Sequence, residues 1–80
     1  MPKAYYLTDK YNQLEREWML PRLTIEEQIV IRDAKNGPGI TEKELVAYSE
    51  LSPYDVKRAI KSLVDQQLLT EGPTEEWHET

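Results

Sequence analysis

The chain has 80 residues, a net charge of −5 and no cysteine. That length makes one domain with a small core, and the missing thiols exclude a disulfide framework and a thiolate metal site. No apolar run approaches the ~18 residues of a membrane span, and the N-terminus lacks a signal-peptide pattern, so a soluble, cytoplasmic protein is expected.

Residues 1–7 carry little regular signal beyond Tyr5-Tyr6-Leu7 and read as a tail or extended arm. Thr8 suits an N-cap, and a helix is expected from there to Leu20. Leu7, Tyr11, Leu14 and Trp18 recur at intervals of four, three and four, the spacing of a helical stripe and also of a short heptad-like seam. Two readings stay open: this helix packs on its own domain, or it joins two protomers. Pro21 ends it.

Thr24 and Glu27 have the spacing of a capping box, with Leu23 placed as a loose hydrophobic staple. The second helix is expected to run through Ile29-Val30-Ile31 to Asn36, where Gly37-Pro38-Gly39 stops it. Ile25 and Ile29 lie on one side, and Val30, Ile31 and Ala34 on another. A helix apolar on two sides is sandwiched, here between the N-terminal helix and the 41–65 unit.

Ile40 suits a strand of one or two residues. Thr41 and Glu44 make a second capping box, opening a short helix to about Ser49. Ser52 then caps a helix with Pro53 at its first position, where the missing N–H costs nothing. Wound at ~100° per residue, residues 52–65 separate into two faces. Val56, Ala59, Ile60, Leu63 and Val64 fall in one arc and are expected to be core. Tyr54, Lys57, Arg58 and Lys61 fall on the other, with Asp65 one turn below Lys61. Leu68-Leu69-Thr70 is a strand candidate, Gly72-Pro73-Thr74 a turn, and residues 75–78 a possible return strand carrying Trp77.

The order Leu23-Thr24, Gly39-Ile40-Thr41, Glu44-Leu45, Leu51-Ser52, Val56, Arg58, Leu63 and Leu68-Leu69 resembles a winged helix-turn-helix domain of the MarR-like kind found in small prokaryotic and phage transcription regulators. The resemblance covers roughly residues 23–71. It implies a mainly α fold with a small β-hairpin, 23–80 being the winged domain with a short acidic wing and tail; residues 1–22 stand before it as an extra N-terminal arm and helix with a possible dimerisation role. In that family the helix starting at Leu-Ser enters the major groove of double-stranded DNA. Carried over, the DNA contacts fall on Ser52, Tyr54, Lys57, Arg58 and Lys61, and the helix start at Thr41 suits a phosphate. A guanidinium such as Arg58 can read a guanine edge, while Lys57 and Lys61 suit phosphates or guanine. Leu7, Tyr11, Leu14 and Trp18 would join a homodimer.

Three departures stand against the pattern. Glu50 occupies a turn position where relatives often have glycine, beside Ser49 in place of a core apolar residue. Gln67 replaces the glycine that commonly precedes the Leu-Leu strand. The wing is acidic, with Glu71, Glu75, Glu76 and Glu79 where DNA-binding relatives carry Arg or Lys. Residues 1–24 hold four basic and three acidic groups, 25–65 six and eight, and 66–80 none and four. DNA affinity rests on cations that neutralise phosphates, so the alternative is an acidic winged-helix module that binds or blocks a partner protein. No Gly-rich phosphate loop, nucleophile motif or metal-ligand spacing is present, and the single histidine, His78, stands near the C-terminus. Neither catalysis nor a cofactor or metal is expected.

Overall fold

The computed structural model describes residues 3–36 and 39–73. Among them four helices surround a small antiparallel sheet: β1 (Lys3–Leu7), α1 (Asp9–Arg16), α2 (Ile25–Ala34), β2 (Ile40–Thr41), α3 (Glu42–Ser49), α4 (Pro53–Asp65) and β3 (Leu69–Pro73). The expected mainly helical chain with a small β element is present, but the sheet is built differently from a hairpin. Its order is β2-β1-β3, so residues 3–7 form the central strand and not a free arm. Ala4 and Tyr5 pair with Thr41 and Ile40 on one side. On the other, Lys3 to Leu7 pair with Pro73 to Leu69. Gly72 and Pro73, expected in a turn, continue β3. The expected return strand at 75–78 lies outside the described residues.

All four helices start where a hydroxyl caps them. Thr8, Thr24, Thr41 and Ser52 each accept a hydrogen bond from the backbone N–H three residues on, satisfying donors that the helix itself leaves unpaired. Both capping boxes form: Thr24 N–H donates to Glu27 at 2.8 Å and Thr41 N–H to Glu44 at 3.0 Å. Pro53 sits in the first turn of α4.

The helix ends differ more from expectation. α1 stops at Arg16 and not at Leu20, because Trp18 adopts a left-handed φ of 59°. Its N–H turns back to Glu15 C=O at 3.2 Å, and Met19 N–H reaches Leu14 C=O at 2.9 Å, the paired closure of a Schellman motif. The same closure ends α4: Gln67 has φ 64°, its N–H donates to Val64 C=O, and Leu68 N–H donates to Leu63 C=O, both at 2.9 Å. α3 ends on Glu50 at φ 64°, and Leu51 N–H then donates to the buried Ser49 hydroxyl at 3.1 Å. A hydroxyl thus stands in this turn where an apolar side chain would leave that N–H without a partner. α2 ends at Ala34, two residues before Asn36.

The core lies between the sheet and the α2–α3–α4 layer. Leu45, Leu63, Leu68, Leu69, Val30 and Val56 are its largest fully buried side chains, each contributing about 1.5–3 kcal/mol by leaving water. Val56, Ala59, Ile60 and Leu63 are buried as the two-faced pattern requires, and Val64 is packed at the margin. α2 is covered fully on one side and partly on the other: Val30, Ile31 and Ala34 are buried, while Ile29 is half-buried and Ile25 is 71% exposed. α1 does not close over that side. Its last turn is tied to the end of α2 by the Glu15–Lys35 ion pair at 2.6 Å. It is also held at its start, where Thr8 N–H donates to Leu68 C=O, Thr8 Oγ1 to Gln67 C=O and Lys10 Nζ to Gln66 C=O. These donors take up carbonyls at the end of α4, where the helix dipole also favours a cation.

Candidate functional site

The outer face of α4 follows directly from its periodicity. With Val56, Ala59, Ile60 and Leu63 committed to the core, Tyr54, Lys57, Arg58 and Lys61 are turned to solvent together. Tyr54 is 68% exposed, and the Arg58 guanidinium carbon lies 5.6 Å from the centre of its ring. That cation–π contact of ~0.5–1 kcal/mol restricts the arginine without consuming its five N–H donors. Lys57 and Lys61 reach Glu42 at 3.9 Å and Asp65 at 3.5 Å. Both are surface ion pairs of ~0–1 kcal/mol, weak enough to exchange for a stronger anion.

The face is basic along its ridge and acidic at its edges. Lys57 and Lys61 line one shallow cleft of about 370 Å³ with Tyr5, Glu42, Asp65 and Glu71. Burial, then the charges of Glu71 and Glu42, push the Tyr5 hydroxyl above its ordinary pKa. Arg58 lines a second cleft of about 190 Å³ with Glu26, Glu27 and Asp55. Each cation therefore has carboxylates beside it, and the field above α4 is local.

The other expected site residues divide. Ser52 is exposed, with its hydroxyl oxygen accepting Asp55 N–H at 3.1 Å. Thr41 is half-buried, paired to Ala4 in the sheet, and its N–H and hydroxyl are both taken by Glu44. An incoming phosphate there would meet Glu44 and Glu42 first. Tyr48, 66% exposed on α3, joins the exposed aromatics of this half of the chain. Sequence spacing does not mark it, because Tyr48 stands three residues from the buried Leu45, a same-face interval.

The N-terminal stripe is spent mostly within the chain. Tyr11 is 2% exposed, and its hydroxyl donates to Glu15 at 3.2 Å. Leu7 and Leu14 pack at the margin of the core. Trp18 is 94% exposed, so of the four seam residues it alone is fully presented.

Among the described residues no cluster of three metal-ligating side chains occurs, and no helix is long and apolar enough to cross a membrane. Comparison with protein-family models, with curated proteins and with solved structures found no match to this chain.

Proposed function

We propose that the chain is a DNA-binding transcription regulator of winged helix-turn-helix type, with α3 and α4 as the helix pair and α4 as the reading helix, acting as a homodimer through its N-terminal region. The observation that carries this reading is the joint exposure of Tyr54, Lys57, Arg58 and Lys61 on one face of a capped helix whose opposite face is core. Two successive helical turns then offer a guanidinium held near an aromatic ring and two amines in weak surface pairs. That is the chemistry of base-edge and phosphate contact. α3 and α4 are joined by only three residues, Glu50 to Ser52, a connection length typical of this motif.

A second reading has its own support. The carboxylates of Glu42, Asp55, Asp65 and Glu71 border the cationic ridge, as they would on a module that pairs with a basic protein. Salt-dependent retardation of duplex DNA separates the two. Binding through α4 weakens steeply as salt rises, with a slope set by the phosphates contacted. No retardation even at low salt, alongside capture of a basic polypeptide, would replace the DNA reading by the protein one.

A further inference from the structure

Trp18 is held away from its own chain by a turn that is unfavourable for it. The left-handed conformation at φ 59° suits glycine, and a side chain with a Cβ is disfavoured there. An indole 94% exposed to water gives nothing back within the monomer. Strained positions of this kind cluster at functional surfaces. Met19, which follows Trp18, is 65% exposed. Next to it lies a groove of about 710 Å³ between α1 and α2, lined by Tyr11, Leu20, Leu23 and Ile31 and bordered by Arg22 and Arg32.

We infer that Trp18 of one copy enters this groove of a second copy, and that the exchange is reciprocal. A knob and a groove side by side on one rigid chain form a self-complementary patch, which is what a two-fold interface requires. The charges agree. Among the described residues neither Glu17, beside the knob, nor Arg22, on the groove's rim, has an ion-pair partner. A two-fold arrangement sets each against the other across the interface. The area agrees as well. An aromatic side chain carries ~150–250 Å², so two indoles and the groove walls that receive them together approach roughly 1,000 Å², the threshold of a specific interface. This contact deepens the homodimer part of the proposed function, replacing a four-residue helical seam by a knob in a groove, and it is independent of DNA.

The test is sedimentation of the full chain without DNA, from micromolar to millimolar protein, with tryptophan emission recorded in a Trp77→Phe background where Trp18 is the sole indole. Dimers are expected, with emission moving to the blue as they form. Trp18→Gly should sediment as a monomer while melting at a higher temperature than wild type at protein concentrations low enough for wild type to dissociate, because glycine relieves the left-handed turn. A merely misfolded variant could not show that combination. Arg22→Glu should weaken association roughly tenfold, two symmetry-related pairs being lost, and Glu17→Arg added to it should restore association. A wild type that stays monomeric throughout, or a Trp18→Gly variant that dimerises as well as wild type, overturns the inference. Loss of DNA retardation in Arg58→Ala with unchanged sedimentation supports it as a contact separate from α4.

Discussion

Ser62 on α4 donates its hydroxyl hydrogen to Oε2 of Glu27 on α2, whose other oxygen already accepts Thr24 N–H. One carboxylate thereby closes the start of one helix and ties it to the last turns of another. Gln66 adds its amide at 3.4 Å. Burial alone would raise the Glu27 pKa, but the hydrogen bonds from Ser62, Thr24 and Gln66 outweigh it, and the carboxyl sits below its ordinary range. Glu27→Ala should destabilise the fold by about 2–3 kcal/mol, through the lost cap and the orphaned hydroxyl, measurable by chemical denaturation.

The sign of the pH dependence follows. A carboxyl whose folded pKa is depressed is fully stabilising above its unfolded value of about 4.3, and the contribution disappears as pH falls through the folded value. Glu27→Gln should therefore flatten the fall in stability below about pH 4. A variant curve parallel to wild type in that range would remove Glu27 from the acid response.

Glu50 and Gln67 occupy left-handed positions that glycine holds at lower cost. Glu50→Gly and Gln67→Gly should each stabilise by about 1 kcal/mol, raising the melting midpoint by ~4–8 °C in a domain of this size. The bonds that close the α4 turn come from the backbone, so they survive the change. Lower midpoints in both variants would mean that these side chains make contacts worth more than the strain.

Tyr6 lies against two glycines. A Cβ at Gly39, whose φ is 152°, would come within 2.5 Å of the Tyr6 ring, and one at Gly72 within 3.2 Å. Gly39→Ala should cost more than Gly72→Ala, on the order of 2–3 kcal/mol. Repeating both substitutions in a Tyr6→Ala chain should recover part of the difference. Equal costs in the two backgrounds would assign the effect to backbone conformation alone.

Removing carboxylates beside the α4 cations should strengthen DNA binding if α4 is the reading helix. Glu42→Gln and Asp65→Asn free Lys57 and Lys61 and should raise affinity in retardation assays, whereas Lys61→Ala should reduce the salt slope by ~1 and Arg58→Ala should cost ~1–3 kcal/mol. Indifference to all four changes would dismiss this face.

The local features of this chain were legible in its sequence. Thr8, Thr24, Thr41 and Ser52 could be read as caps because capping needs only a hydroxyl and the residues just after it. The division of α4 into core and solvent faces needed only a period. The place of Lys3–Leu7 could not be read, because its partners in β2 and β3 stand more than thirty and sixty residues away and Tyr5-Tyr6-Leu7 does not alternate. The early end of α1 was equally hidden, since a tryptophan at a left-handed closure gives no glycine signal. Tyr11 and Leu14 lie on α1 and Leu7 ends β1, and their spacing does not say which chain covers them.

The central position of β1 has a mechanical consequence. Lys3 pairs with Pro73 at one end of the β1–β3 ladder and Leu7 with Leu69 at the other, so Lys3 and Pro73 stand side by side. Tension applied between them loads the rungs one after another, as in a zipper, and never all together. During synthesis the middle strand is made first and waits for the last strand to emerge, so the sheet is completed only when nearly the whole described chain is free.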